Sequence, residues 1–505
     1  MRPLGRFVEL LTPDEMSMLH DRALDLLADP GMRIEDERIL QALARQGASV
    51  DLARLTVRFP RQLVESTIEL ARQEEAARLA GGHSEQDAAN ALTFSWHTAY
   101  ASRTPPVQVS LGGGCPFYYD YPAGRSRYAT ASDFLRLVHL GEGLPEVTTV
   151  GNAVHYLRED DGSEVPPKLV AIKGAAIVAK HSSKPGCTAI IDWRQLEFLM
   201  EIGIIVRGSA EEYIRRPIFV NISDTETPLR VTRPEAAIIY EMARRGLSIF
   251  ILPMPLAGIT GPVHPIANAI IGAAEILGVW TATKAVNERA PVEAAIVSGV
   301  LNPKTGTACF SAPEAVLQDV AVAQLFRERY GCRCGTGAGI IDAPVPGPTA
   351  IYERMLKGFG SSLAGEPAYH VGILGGGLVF SPEMLMIDLD IARAQHTYAR
   401  GLGGEHFDQA LDLIRERGIG GSFIDTEHTA RHFRECLWMP SLFERAKGGE
   451  AQAGWDDPVA AAYESWQAVL RQTPEFNIAP EKARAIDKVV LRAQQALASI
   501  QGAAE

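Results

Sequence analysis

One rhythm governs the middle of the chain. From residue 107 onward, short apolar runs alternate with amphipathic stretches. The runs are "VQVSL" (107–111), "VTTVGNAV" (147–154), "CTAIID" (187–192), "IFVNIS" (218–223), "LSIFILPM" (247–254), "VEAAIVSG" (292–299), "CRCGTGAG" (332–339) and "YHVGILGG" (369–376). Helix-period segments such as "PPKLVAIKGAAIVAKH" and "RPEAAIIYEMARRG" lie between them. Strands separated by helices pair in parallel, because a parallel pair needs a long crossover. About eight such units with short links is the count of a (β/α)8 barrel. A doubly wound sheet would carry G-x-G-x-x-G after its first strand, and "GGGCPF" (112–117) does not supply it. The expectation is an α/β protein with a TIM barrel over residues 107–404.

The flanks read differently. Residues 1–106 predict a mainly helical cap, opened by a capping box of Thr12 and Glu15 and closed by an irregular segment that carries Phe94, Trp96 and Tyr100. Residues 405–505 predict a helical extension. Its last helix sets Ile486, Val489, Val490, Ala493 and Leu497 on one side, for a place on the barrel wall or in a homo-oligomer contact.

Charge narrows the partners. A formal net charge of −12 with no Lys/Arg-rich stripe argues against nucleic acid and suits a cationic small molecule. Six cysteines, four of them isolated, form no disulfide framework and fit a reducing cytoplasm. The N-terminus lacks the apolar core of a signal peptide, and no charge-free span of membrane length appears. No bound metal is expected either. Cys332 and Cys334 alternate along a strand, and His428 and His432 stand one helical turn apart without the glutamate of HExxH, which reads as a solvated face.

In a barrel the strand C-termini deliver the site. The first run opens into "GGGCPFYYDY", where Gly113 and Gly114 let backbone approach a ligand and Tyr118 and Tyr119 follow. The fourth ends in "NISDTETPL", presenting Asp224, and the fifth in "ILPMPLAGITGPVHP", presenting Met254, Thr260 and His264. The sixth leads to Phe310, ahead of a helix capped by Ser311 and Glu314. The seventh presents Thr336 and Asp342, and the eighth Gly375, Gly376, Gly377 and Phe380. Each has an ordinary structural reading beside the functional one. Tyrosines pack rims, aspartates cap loops, phenylalanines fill cores, a histidine before a helix caps it, and glycine triplets make turns.

Three long stretches together resemble the trimethylamine methyltransferase family: "LPMPLAGITGPVHPIANAIIGAAEILG", "GGGCPFYYDYPAGRSRYATASDFLRL" and "TEHTARHFRECLWMPSLFERA". The resemblance spans nearly the whole chain. It implies a (β/α)8 barrel that demethylates a methylated amine and passes the methyl to the corrinoid cofactor (cob(I)alamin to methylcobalamin) of a separate corrinoid protein. Founding members carry pyrrolysine near the end of the seventh strand, whereas "GTGAGIIDAPVPGPTAIYERM" holds only standard residues. The chain therefore resembles the non-pyrrolysine branch, which acts on quaternary amines such as glycine betaine, proline betaine or carnitine. Two departures from the family pattern, at residues 82–106 and in "IIDAPVPG", leave the particular substrate open.

A quaternary nitrogen already bears a full positive charge, so methyl attack needs orientation and a dry cage rather than a general acid or base. Aromatic faces hold such a cation for about 0.5–2 kcal/mol each. That assigns Trp96, Tyr118, Tyr119, Phe310 and Phe380 to a cage, Asp342 to a longer-range charge, and Thr260, His264 or loop amides to any substrate carboxylate. Two other readings stay open: transfer to tetrahydrofolate or another small acceptor without corrinoid, and a non-catalytic barrel that binds methylated amines.

Overall fold

The computed structural model describes residues 9–80, 107–363 (positions 108, 187, 216, 220 and 338 excepted), 371–400, 407–443 and 457–498. Phe94, Trp96 and Tyr100 lie outside the described residues.

Six of the eight apolar runs sit in two parallel ladders. Val109–Leu111 pairs with Val147–Val150, which a bridge from Val150 to Pro185 extends. Ile222–Asp224, Ile249–Leu252, Val292–Ile296 and Gly335–Thr336 follow one another in a second ladder, each parallel to the next. The eighth run, Ile373–Leu374, instead turns back antiparallel onto Val379–Phe380. Among the described residues the ladder does not close into a circle, and "CTAIID" forms no strand of its own. Side chains span the gaps: Asn221 Oδ1 accepts from the Ile190 amide at 3.0 Å, and Arg354 donates to the Gly339 and Ile373 carbonyls. The architecture is thus mixed α/β, with parallel strands covered by helices.

The "GGGCPFYYDY" stretch is ordered into a hairpin, Phe117–Asp120 against Arg125–Tyr128, which joins Val379–Phe380 in a small sheet. An alternating, aromatic-rich segment with a turn at Gly124 (φ 62°) satisfies its backbone better as a hairpin than as an open loop.

The helix Pro265–Val286 explains its own composition. It is apolar on every side because other elements cover every side. Gly278 admits Met32, whose sulfur stands 2.1 Å from where a Cβ would be, and Gly272 admits Ile296 in the same way. This is the one described helix long and apolar enough to cross a membrane, but most of it is buried among neighbouring helices. It also carries Glu275 and Lys284 buried inward.

The prelude packs on that helix. Pro13–Ala28 begins at the predicted capping box, and Met32–Ile34, Ser49–Asp51 and Thr56–Arg58 form a sheet completed by Arg230–Val231. Gln324 ties down both the Leu10 and Leu11 amides, and His20 meets the Tyr330 hydroxyl at 2.9 Å. The final helix, Pro480–Ala498, lies on the wall: Ile486, Val489, Ala493 and Leu497 are buried in the same apolar cluster that begins at Leu11.

Candidate active site

Helix-borne polar side chains brace the strand C-termini. Gln195 accepts from the Ile191 and Asp192 amides, and Glu275 accepts from Thr225, Thr227 and the Leu229 amide. Asp319 joins the Ser298 and Gly337 amides at 2.7 and 3.0 Å, and Asp388 accepts from Gly372 while pairing with Arg354 at 2.8 Å. Burial pushes the carboxyls of Asp319 and Asp388 up to about 6 and about 7, against the pull of Lys357 and Arg354. Burial likewise lowers Lys357 to about 8, although Asp319 and Asp342 hold its charge. Such groups are tolerable in the interior because each has its partners. None of them was singled out in the sequence. The available signal was a lone acid in an apolar helix, as in "NAIIGAAEILG".

Asp342 belongs to the bracing. Its oxygens accept from the Phe310 and Ser311 amides at 2.8 Å each and from the Cys309 thiol at 3.1 Å. Its own amide meets Ser311 Oγ and Glu353. The expected longer-range charge is thus spent on closing the 309–311 turn. Ser311 is spent there too, so the helix Pro313–Gln324 starts from Ala312 with no side-chain cap.

Asp224 is the contrast. Ser223 is buried on the side of the following helix, near Glu235, so the next residue in the strand points to the opposite, inner face. Leu252, its register partner, shares that face. The Asp224 carboxyl makes no hydrogen bond among the described residues. More than a third of the residue is open to solvent, yet enough protein crowds the carboxyl to desolvate it. Those surroundings raise its pKa to about 6 by desolvation. Behind it, burial raises Glu235 to about 7, with the Asp224 charge adding to the shift.

The other expected site residues divide. Met254 is half-buried just beyond Leu252. Phe310 is half-buried between Gly299 and Gly376, where it reaches from the sixth strand's loop to the eighth's. Gly377 (φ 98°) has open space on its Cβ side, which leaves bare backbone on the rim. Gly113 (φ 137°) and Gly114 (φ 60°) adjoin Ile373 and His155, and Gly375 (φ 59°) lies beside Val379 and Pro344. Phe380, by contrast, is fully buried beneath Gly372 and is core, not cage. Tyr118 is buried with the Arg127 guanidinium 5.0 Å over its ring, so the protein's own cation occupies that face. Tyr119 is buried in the same hairpin. Thr260 Oγ1 accepts from the Leu256 amide and so stabilises its turn, and His264 is exposed at the N-cap of Pro265–Val286. Thr336 is buried and meets Ser361.

The structure adds His155, in "GNAVHY" after the second strand. Its ring lies against Gly114, burial lowers its pKa, and it therefore stays neutral at pH 7. Its ring makes no hydrogen bond among the described residues, while its amide donates to the Cys115 carbonyl at 2.9 Å. Among the described residues, no group of three or more His, Cys, Asp or Glu is placed to hold a metal, and the His428 and His432 rings stand tilted at 42° with centroids 4.9 Å apart.

Sequence comparison with known proteins points to one family. The profile of the trimethylamine methyltransferase (MTTB) family matches residues 3–498. Trimethylamine methyltransferase MttB of Desulfitobacterium hafniense is 25% identical over 92% of this chain and 89% of its own length. Glycine betaine methyltransferase of the same species is 24% identical over 94% of each. The solved Methanosarcina barkeri monomethylamine methyltransferase covers 94% of this chain and 90% of its own at 11% identity, with a TM-score of 0.46.

Proposed function

The chain belongs to the trimethylamine methyltransferase family, and we propose that it removes a methyl group from a quaternary, betaine-like amine for a corrinoid protein. Asp224 carries this reading: a carboxylate on the inner face of a strand end that accepts no hydrogen bond among the described residues, with a pKa raised to about 6 by desolvation. At neutral pH it is mostly ionised and attracts a cation that cannot itself donate a proton. The near-equal identities to the trimethylamine and glycine betaine enzymes leave the choice between them to the site. A quaternary nitrogen is the better match because no electrophilic residue is needed to make it leave.

In this proposal Asp224 supplies the charge, and Phe310 and Met254 supply apolar walls. The neutral His155 ring offers a donor to the substrate's carboxylate. The corrinoid, carried as co-substrate by the partner, supplies a Co(I) nucleophile that takes the methyl as the C–N bond breaks and the nitrogen becomes neutral. The open backbone at Gly377 and the turn at Gly375–Gly376 form a rim that a flat macrocycle can approach closely. An attractive charge in contact favours the bound cation over a transition state in which that charge disperses, so Asp224 serves affinity more than rate. The strands would complete a barrel with this mouth at their C-terminal end. A reducing cytoplasm suits a chain that keeps Cys115, Cys332 and Cys334 buried as thiols.

The test is a panel of methylated amines incubated with reduced corrinoid carrier, following conversion of cob(I)alamin to methylcobalamin. A quaternary amine is expected to be consumed and trimethylamine not. Turnover of trimethylamine as fast as the best quaternary compound overturns the proposal.

A further inference from the structure

The strand Ile222–Asp224 ends among more polar groups than it has partners for. Asn221 Nδ2 and Ser223 Oγ are buried without a hydrogen-bond partner. So is Oε1 of Glu235, which stands in the first turn of the next helix, Arg233–Arg244. The braces at neighbouring strand ends are saturated. Glu275 gives one oxygen to the Leu229 amide and the other to Thr225 and Thr227, and Asp319 gives one each to the Ser298 and Gly337 amides. Glu235 holds the corresponding place, on a helix behind a strand end, and leaves an oxygen unused. A buried polar atom without a partner is rare in a folded chain, and working sites are one place where it persists.

The groups that act on Glu235 are the Ser223 hydroxyl, the Asp224 amide and the Asp224 carboxylate. Charges on the other elements packed against its helix are engaged elsewhere. Glu275 is taken up as above, Arg38 lies between Asp36 and Glu241, and Arg230 lies between Glu35 and Glu226. The strand Ile249–Leu252 brings only apolar side chains, and Arg233 is exposed. Among the described residues, then, Glu235 has one negative neighbour and no cation to hold it ionised. Two carboxyls so placed ionise in turn rather than together. Asp224, partly open to solvent, goes first at about 6, and Glu235 follows at about 7.

We propose that Glu235 is a positioning residue that holds a proton while the site at Asp224 is empty and gives it up when a cation docks there. That the cation is a quaternary amine rests on the function proposed above. A docked cation offsets the Asp224 charge that opposed Glu235, so the carboxyl O–H breaks and the proton passes to solvent. The site thus gains its second negative charge only while it holds a positive one. When the methyl leaves and the nitrogen becomes neutral, the offset ends and Glu235 takes a proton back from water. The methyl itself moves without one.

The test has a ligand-free arm and a binding arm. Difference infrared titration of the carboxyl groups compares the parent with Asp224→Asn and Glu235→Gln. Two steps are expected in the parent, the upper one moving down in Asp224→Asn and the lower one staying in place in Glu235→Gln. An upper step that ignores the loss of Asp224 overturns the proposal. Calorimetry then uses tetramethylammonium, glycine betaine and trimethylammonium in buffers of different ionisation enthalpy. The parent should release a proton on binding near pH 7 and Glu235→Gln none. The variant should bind as the parent does near pH 6 and about threefold more weakly near pH 8. Equal weakening at both pH values marks a merely structural role and overturns the proposal, as does binding by the parent without proton release. Proton release with trimethylammonium alone upholds the pair and overturns the quaternary-amine function instead. If none of the three cations binds, both fall.

Discussion

The fourth strand ends in Asp224 and the loop after the seventh carries Asp342, and the two aspartates behave oppositely. Asp342 accepts from two amides and a thiol and holds a turn together. Asp224 accepts from no described group and is partly desolvated by the protein around it. A carboxylate whose lone pairs are filled by backbone is part of the frame. One left without such partners in a poorly solvated place is available to a ligand, and its raised pKa records the cost of waiting there.

The largest effect should come from the frame. Asp342→Ala leaves the Phe310 and Ser311 amides without their acceptor, at about 3 kcal/mol of stability for two such groups, visible as a lower denaturant midpoint. A variant as stable as the parent would erase the distinction between the two aspartates. Asp224→Asn should do the reverse. Quaternary-amine affinity is expected to fall about tenfold, or ~1.4 kcal/mol, by calorimetry, with a melting point equal to the parent's or above it. The sign follows from the shift. The folded-state pKa of Asp224 lies above its unfolded value, so ionisation opposes folding as pH rises through about 6, and removing the charge relieves that. Substrate binding in the parent should accordingly weaken as pH falls through about 6, while the Asn variant stays flatter. Glu235, whose pKa the Asp224 charge helps to raise, is present in both, and its own shift should shrink in the Asn variant. The smallest effect belongs to the wall: Phe310→Ala should weaken binding by about 0.5–1.5 kcal/mol, a few-fold in Kd, with kcat little changed. Loss of stability without loss of affinity would return Phe310 to the core.

The alternation of apolar runs and helices was legible because burial on both faces of a parallel strand writes itself as a continuous apolar segment. The capping box at Thr12 and Glu15 and the buried stripe of the last helix were legible for the same local reason. Aromatic identity was a poorer guide. "FYYDY" reads as a cage only until hairpin pairing turns Tyr118 into a register partner of Phe380 and sets Arg127 over its ring. Whether Asp224 or Asp342 is free depends on amides more than thirty residues away for Asp342 and on helix packing for Asp224, and neither leaves a trace in local spacing. His155 escaped notice because a lone histidine after a strand looks the same whether it is solvated or wedged against a glycine such as Gly114.

The braces at the strand ends have a bearing on how such a protein changes over time. Gln195, Glu275, Asp319, Glu353, Arg354 and Asp388 all stand on helices, and each holds backbone at a strand end or at the start of a loop. A loop anchored only at its root can lengthen, shorten or exchange its tip without loosening the sheet. Lineages sharing this frame are then free to drift from one methylated compound to another by altering loop tips alone. The braces themselves should resist replacement whatever the substrate, and a chain that had lost one would first be recognised by its instability.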